Sequence, residues 1–301
     1  MNIIKHHSTA GTDTRSVGQY CKKKKSPFRI AVLVICSLML GIGSFGLGGY
    51  IGMRFNEQEA LQKLSETVQE NTTAATTVPA ETAATATLET TKPEATTQPT
   101  ESAEKIILPQ YAQLHQENPD LYGWIKIEDT KIDYPVMHTP NDPEKYLHVN
   151  FKGEYSYAGL PFMDANCTAD SDNLLIYGHN MLDGSMFRSL MEYEKQDYFE
   201  KHPVIRFDTL YDEQTYEVLA AFYDRVYYKT ERVFKFYQFI NAADEAEYNA
   251  AVEQFKSKSL YDTGVEAQYG DQLITLVTCA YHTENGRFVV VARKIEEIQE
   301  K

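Results

Sequence analysis

A cysteine and an arginine occupy facing ends of two apolar segments near the C-terminus. The first segment runs from Leu273 to Cys279, and the second begins at Arg287 after a short turn-rich connection. If the two segments pair as a hairpin, the thiol and the guanidinium lie at the same end of a sheet. A thiolate there can attack a carbonyl carbon, and the guanidinium can stabilise the developing oxyanion. The alternative is a buried strand-end cysteine beside an arginine that makes a surface ion pair.

A histidine follows another apolar segment. Residues 173–180 read Asn-Leu-Leu-Ile-Tyr-Gly-His-Asn, and Gly178 gives the backbone freedom to turn immediately before His179. The imidazole can then project from the end of the sheet, where it is available for proton transfer. Taken alone, a histidine at a strand end is more often a hydrogen-bonded structural group than a catalytic one.

The segments that carry these residues are predicted to be strands. Two helices are expected near residues 185–200 and 242–257, and Asn241 is the expected N-cap of the second. A third, short helix is expected through Tyr111 and Leu114, and it ends at Asn118-Pro119. Because the strands do not alternate regularly with helices, the pattern indicates a mainly β barrel or sandwich with peripheral helices. Eight segments are rich in β-branched and aromatic residues between turn signals: 122–127, 132–137, 159–163, 173–177, 204–208, 215–223, 273–278 and 287–292.

The N-terminal third is organised differently. Residues 30–53 contain no charge and are long enough to cross a bilayer, with Lys22 to Lys25 on the N-terminal side. The positive-inside rule places residues 1–29 in the cytoplasm and everything after residue 54 outside. Residues 71–104 contain twelve Thr and eight Ala and no aromatic residue, as expected for a disordered stalk. We therefore divide the chain into a basic tail (1–29), a signal anchor (30–53), a stalk (54–104) and a folded domain (105–301).

Charge and cysteine content restrict the function further. The 301 residues carry a formal charge of −14, and the excess of acidic residues lies after residue 54, which argues against nucleic-acid binding. Of the four cysteines, Cys167 and Cys279 fall in the domain predicted to be exported. They either form one disulfide or leave a single reactive thiol, and a domain of this size does not need a disulfide to fold.

The combination of these motifs resembles the sortase transpeptidases. Their TLxTC motif matches Thr275 to Cys279, their histidine matches His179, and their arginine matches Arg287. The helix-bearing insertion at residues 229–260 and the short helix before the first strand are similar to class B sortases. The resemblance covers residues 106–296 and implies an eight-stranded sortase-type β-barrel, preceded by one N-terminal transmembrane helix and a disordered stalk.

The resemblance implies acyl transfer through a covalent intermediate. Cys279 attacks a carbonyl within a C-terminal sorting motif of an exported protein, His179 transfers protons, and Arg287 stabilises the oxyanion. The acceptor is an amine of peptidoglycan or of its lipid-linked precursor, so the product is anchored to the cell wall. No metal and no cofactor is required, and the enzyme is held at the cell membrane by one helix with its catalytic domain outside.

Several alternatives remain at this stage. Tyr177, Thr278 and Tyr281 flank the catalytic candidates and are expected to bind substrate, although tyrosines at a sheet rim are often packing residues. A zinc site built from His179, Cys279 and His282 lacks the usual ligand spacing. A pilin lysine is an alternative acceptor, and a non-catalytic stalked receptor is an alternative function. The order and motifs expected of papain-like proteases and of L,D-transpeptidases are absent from the sequence.

Overall fold

Eight strands close into a barrel in the computed structural model, which describes residue 52, residues 55–74 and residues 105–295. The strands are β1 (Leu121–Lys126), β2 (Asp133–Met137), β3 (Phe162–Met163), β4 (Asn173–Tyr177), β5 (Val204–Thr209), β6 (Thr215–Arg225), β7 (Leu273–Cys279) and β8 (Gly286–Ile295). Their order around the barrel is β1-β2-β3-β4-β7-β8-β6-β5, and β5 pairs with β1 to close it. The predicted eight-stranded barrel is therefore confirmed.

The pairing of β4 with β7 is the feature that matters most for the site. These strands are parallel and in register from Asn173 with Leu273 to Tyr177 with Val277. β7 then pairs with β8 in antiparallel orientation over its whole length. As a result, the C-terminal ends of β4 and β7 and the N-terminal end of β8 meet at one rim of the barrel.

Helices surround the barrel. They are α1 (residues 55–74), α2 (Pro109–Glu117), α3 (Gln196–Lys201) and α4 (Glu245–Lys258), with 3₁₀ segments at Lys145–Leu147, Phe187–Glu194 and Phe236–Gln238. The helix predicted near residues 185–200 is two elements, because the backbone is extended at Lys195. The buried side chains of its first part, Phe187, Leu190 and Tyr193, repeat every third residue, which suits the three-residue turn of a 3₁₀ helix.

The predicted N-cap of α4 was wrong. The cap is Asp244, whose carboxylate accepts a hydrogen bond of 2.9 Å from the backbone N–H of Glu247. Asn241 instead accepts from the backbone N–H of Asp172 at 3.1 Å, so it joins the loop before β4 to the loop before α4. The helix consequently starts later than predicted.

Part of the predicted stalk is helical. Residues 55–74 form α1, where the stalk was predicted to begin at residue 54. Leu61, Leu64 and Val68 form a stripe along this helix and pack against a second apolar cluster that includes Tyr111 and Trp124. The hydroxyl of Ser65 donates a hydrogen bond of 2.7 Å to the carboxylate of Asp133 on β2, so α1 is fixed to the barrel by polar contact as well.

The predicted membrane anchor is not tested. Apart from Gly52, residues 30–53 lie outside the described residues, as do the tail and residues 75–104 of the stalk. Within the described part of the chain, no helix has the length and apolar character needed to cross a bilayer.

Candidate active site

The three predicted catalytic residues converge on one rim of the barrel. Cys279 is the last residue of β7, and its direct partner across the β7–β8 ladder is Arg287. The backbone N–H of Gly178 donates to the carbonyl of Val277 at 3.0 Å, which continues the contact between β4 and β7 beyond the regular strand. His179 follows immediately, so it is placed beside the end of β7.

The hairpin between β7 and β8 is tight because of two residues before Arg287. Asn285 has a left-handed backbone with a φ of 54°, a conformation that asparagine tolerates better than most residues. A Cβ atom at Gly286 would collide with the carbonyl oxygen of Ala280. The small residue therefore allows the hairpin to close with Arg287 opposite Cys279 in the strand register.

His179 is fixed from the side of the 3₁₀ segment Lys145–Leu147. Its Nε2 lies 3.0 Å from the carbonyl oxygen of Leu147. Because a carbonyl only accepts, Nε2 carries a hydrogen, and Nδ1 is the ring nitrogen at which His179 can gain or lose a proton. The imidazole also stacks on the ring of His148, with centroids 5.6 Å apart and planes inclined by 26°.

The surroundings of His179 favour its neutral form. Partial burial lowers the pKa of the imidazole from its ordinary value of 6.5, and the like charge that His148 can carry lowers it further. The hydrogen bond to Leu147 opposes these effects. The imidazolium of His179 is therefore a stronger acid than an exposed histidine, although a smaller fraction of it is present at neutral pH.

Gly178 has a different role from the one predicted. Its φ is not positive, and the space for a side chain is filled by the ring of Phe187, which a Cβ atom would meet at about 2.6 Å. The backbone N–H of Phe187 also donates to the carbonyl of His179 at 2.9 Å. Glycine is needed here for close packing of the 180–187 loop against the strand end, and this packing holds the backbone of His179.

Two side-chain hydrogen bonds tie the histidine segment to the cysteine segment. The amide of Asn180 donates to the carbonyl of Cys279 at 2.7 Å. The hydroxyl of Thr278 donates to the carbonyl of Gly178 at 2.8 Å. These bonds fix the separation of the two catalytic candidates.

Arg287 is half-buried at the edge of the site. Its guanidinium donates to the carbonyl of Gly286 at 2.9 Å and to that of Asn285 at 3.3 Å. The positive charge of Arg287 also acts on Tyr177. Burial, and after it the carboxylate of Asp164, raises the pKa of the Tyr177 hydroxyl, and the charge of Arg287 partly offsets this rise. With no carboxylate partner among the described residues, its charge is available to an anionic group in the cleft.

The converging residues face an open cleft of about 430 Å³, within the range of small-molecule and peptide sites. Its walls combine apolar side chains with a few charged and amide groups. The lining residues are Pro143, Glu144, Leu147, Phe162, Asp164, Ala165, Asn166, Tyr177, Gly178, His179, Val277, Thr278, Cys279 and Arg287.

The residues predicted to bind substrate divide into two groups. Tyr177 and Thr278 line the cleft, whereas Tyr281 does not and is 83% exposed. The sequence prediction missed Asp164, whose carboxylate accepts a hydrogen bond of 3.1 Å from the hydroxyl of Tyr177. It also missed Leu147 and His148. No local motif marks these residues, since they reach the site through the pairing of distant segments.

Cys167 and Cys279 are both free thiols, so the disulfide left open by the sequence is excluded. Cys167 is buried, which raises the pKa of its thiol to about 11. Its sulfur accepts from the backbone N–H of Leu175 at 3.4 Å. A thiol that resists ionisation and lies inside the barrel is a poor nucleophile.

The zinc alternative also finds no support in the described part of the chain. His282 packs edge-on against the ring of Tyr223, with centroids 4.7 Å apart. Among the described residues, no group of three or more His, Cys, Asp or Glu side chains is arranged to hold a metal ion.

Comparison with known proteins agrees with the barrel fold. The model of the sortase domain matches residues 125–295, from within β1 to the last residue of β8. Sortase B of Listeria monocytogenes is 34% identical over 189 residues, which are 60% of this chain and 72% of the relative. Sortase B of Staphylococcus aureus is 32% identical over 194 residues, which are 63% and 76% of the two chains.

Solved structures give the same result. The Staphylococcus aureus sortase B–substrate complex aligns with a TM-score of 0.64 at 25% identity and covers 81% of this chain and 99% of that one. Sortase B from Bacillus anthracis in complex with AAEK1 aligns with a TM-score of 0.63 at 26% identity and covers 82% and 100%.

A cysteine transpeptidase is the class of enzyme that this barrel and these matches define. The chain belongs to the sortase family, and its relatives place it in class B. The non-catalytic receptor considered from the sequence is thereby set aside.

Proposed function

We propose that this sortase cleaves a C-terminal sorting motif of exported proteins and joins the new carboxyl end to an amine of peptidoglycan or of its lipid-linked precursor. The observation that carries the proposal is the direct pairing of Cys279 with Arg287 at the rim where His179 is fixed. One cleft thus holds a nucleophile, a proton carrier and a fixed cation.

The first half of the reaction forms a thioester. The thiolate of Cys279 attacks the scissile carbonyl carbon, and the electron pair of the C=O bond moves to oxygen. When the C–N bond breaks, the leaving amine takes the Nδ1 proton of His179, because Nε2–H is engaged by Leu147. The lowered pKa of His179 favours this transfer, since it makes the imidazolium a stronger acid.

The second half reverses the proton transfer. The acceptor amine attacks the thioester, and neutral His179 takes a proton from it at Nδ1. Collapse of the intermediate forms the new amide and releases the Cys279 thiolate. Arg287 acts in both halves by stabilising the oxyanion, a role for which its planar fork of donors is suited.

Transfer activity of the full chain tests this proposal. The protein is incubated with a library of sorting-motif peptides and an amine acceptor, and cleavage and ligation are followed by mass spectrometry. We expect both products, and we expect Cys279→Ala and His179→Ala to lose them. Transfer by the Cys279→Ala variant would refute the proposed function.

We further propose that the domain works outside the cell membrane, held by residues 30–53 and spaced by the segment after α1. The support is the uncharged run from Ile30 to Met53 and the basic cluster before it. Protease added to wall-stripped cells that carry the full chain should digest the domain and leave a short membrane-bound fragment. Complete protection of the domain in intact cells, with digestion after lysis, would refute this topology.

A further inference from the structure

His148 lies between the catalytic histidine and solvent in a stack of three rings. Its ring is 5.6 Å from that of His179 on one side and 6.2 Å from that of Tyr155 on the other, with interplanar angles of 26° and 28°. Both separations are typical of attractive ring pairs. Tyr155 is 68% exposed, so the stack runs from the surface to the catalytic centre.

A hairpin holds His148 in this position. The carbonyl of His148 accepts from the backbone N–H of Ser156 at 2.9 Å, and Val149 forms an antiparallel bridge with Tyr155. Asn150 completes the turn by accepting from Glu154 through its side chain at 3.0 Å. The hairpin therefore places the ring of Tyr155 over that of His148.

The base of this hairpin is rigid. Tyr146 is buried, and its hydroxyl donates to the carboxylate of Asp120 at 2.9 Å. Gly159, with a φ of 56°, packs so closely on the chain that a Cβ atom there would collide with the carbonyl oxygens of Tyr146 and Leu147. Gly159 thus packs against the Leu147 carbonyl that accepts the hydrogen bond from His179, and it limits the movement of this carbonyl next to the ring of His148.

We infer that His148 is a positioning residue for His179: its ring, stacked 5.6 Å away, sets the plane of the catalytic imidazole, and any charge on it acts directly on that imidazole. This inference rests on the proposed role of His179 in proton transfer. With Nε2 held by the Leu147 carbonyl, the remaining freedom of the imidazole is a tilt of its plane, and the His148 ring blocks this tilt on one face. The orientation of the imidazole that lines the cleft is then fixed.

Charge coupling follows from the same contact. The other titratable or charged groups that share the cleft with His179 are Glu144, Asp164, Tyr177, Cys279 and Arg287. None of them stacks on its ring among the described residues, whereas the His148 ring lies 5.6 Å away. At that distance a positive charge on His148 opposes protonation of His179 and lowers its pKa.

Two substitutions separate the ring from the charge. His148→Phe keeps an aromatic face but cannot carry a proton, whereas His148→Ala removes both. We expect kcat to fall about 10-fold or more in His148→Ala, because catalytic groups lose rate steeply when misplaced, and to be largely restored in His148→Phe. In both variants we expect the pKa of His179 to rise, because the like charge is gone.

His202 supplies a matched control. Its Nδ1 lies 2.9 Å from the carbonyl of Tyr198, and its ring stacks on that of Tyr198 at 4.1 Å, but it is not part of the cleft. His202→Ala should therefore keep the kcat and the His179 titration of the wild type.

The experiment has two parts. The first measures kcat and KM of each variant over a pH series. The second follows the titration of His179 by NMR of imidazole nitrogens in the full chain, and the His179 signal is assigned by its loss in His179→Ala. A raised His179 pKa in His148→Phe, with kcat restored relative to His148→Ala, supports the inference. If His148→Ala is poorly folded, His148→Phe still decides the question through the His179 titration. An unchanged His179 titration in His148→Phe would overturn the inference, and so would wild-type kcat in a folded His148→Ala. Full activity of His179→Ala would instead refute the proposed function.

Discussion

The side-chain amide of Asn180 donates a 2.7 Å hydrogen bond to the main-chain carbonyl of Cys279. Asn180 directly follows His179, the proposed proton carrier, so one residue connects the strand end that bears this histidine with the strand end that bears Cys279, the proposed nucleophile. The loop that contains it is closed by a bridge between Asn180 and Met186. The separation of the two proposed catalytic groups thus depends in part on the neutral side-chain amide of Asn180.

We expect Asn180→Ala to lower kcat/KM and to reduce the free energy of unfolding by about 1 kcal/mol, the usual net contribution of one hydrogen bond. Asn180→Asp should be worse in activity, because it sets a carboxylate oxygen against the Cys279 carbonyl oxygen. Steady-state kinetics and urea unfolding measure the two effects.

Arg188 provides the control for Asn180. Its guanidinium contacts the carbonyl oxygen of the Asn180 side chain at 3.3 Å in an exposed position. Arg188→Ala should keep nearly all activity, because the amide donor to Cys279 is untouched. Equal rates in wild type and Asn180→Ala would show that this bond does not position the nucleophile.

Arg287 is expected to contribute charge and geometry separately. Arg287→Lys keeps the charge but loses the planar fork, so its kcat/KM should lie between those of the wild type and Arg287→Ala. The alanine variant should lose roughly 3–4 kcal/mol of transition-state stabilisation if Arg287 serves as an oxyanion donor. The comparison is made at the pH optimum of each variant, so that a shifted optimum is not mistaken for the loss of a catalytic group.

Arg293 is a second arginine on β8, and it tests whether activity requires the arginine at the rim of the barrel. It lies at the other end of β8, opposite Leu273, and its guanidinium is 3.4 Å from Glu217 and 3.6 Å from Asp271. Arg293→Ala should therefore affect stability more than turnover. Near-wild-type turnover in Arg287→Ala would remove Arg287 from the mechanism.

His138 should make the domain acid-sensitive. It is half-buried, its Nε2 has no hydrogen-bond partner among the described residues, and burial lowers its pKa from 6.5. Below pH 6.5 the unfolded chain binds a proton that the folded His138 resists, so stability is full above that pH and declines as the pH falls toward the folded pKa. The pKa of His179 is also lowered, so its protonation contributes to the same loss of stability in acid.

His138→Phe should flatten part of this decline, since the substituted ring keeps the edge contact with Tyr122 and cannot ionise. Urea unfolding at pH 7.5 and pH 5 measures the change. An identical loss of stability in the variant and the wild type would show that His138 does not cause the acid sensitivity.

Because α1 packs on the barrel, substitution of its apolar residues should lower the stability of the domain, although the sequence assigns this segment to the stalk. Leu64→Ala should reduce the free energy of unfolding by about 1–2 kcal/mol through lost apolar burial. Lys63→Ala, at an exposed position that pairs with Glu59 on the same helix, should change it by less than about 0.5 kcal/mol. Equal effects of the two variants would mean that α1 does not pack on the barrel in solution.

The strands and the three rim residues were predictable because their signals are local. Cys279 and Arg287 flank a short hairpin, and His179 ends an apolar strand. The stripe of Leu61, Leu64 and Val68 was also in the sequence, but the Thr and Ala content of the following residues led us to assign the whole region to the stalk.

The positions of Leu147, His148 and Asp164 could not be read from local patterns. Leu147 and His148 belong to a hairpin base more than thirty residues before the histidine that they contact. Asp164 reaches Tyr177 only because β3 pairs with β4. Contacts of this kind depend on strand pairing across the barrel, which a single sequence does not specify.

The central claim is that Cys279 forms the acyl-enzyme, and the most direct test is mass spectrometry of the protein after brief exposure to a sorting-motif peptide. We predict a mass increase equal to the N-terminal peptide fragment, mapped to Cys279, labile to hydroxylamine and absent in Cys279→Ala. The adduct should persist in Cys167→Ala, since that thiol is buried and its pKa is raised to about 11. An adduct mapped to Cys167, or peptide transfer without any adduct on Cys279, would contradict the account.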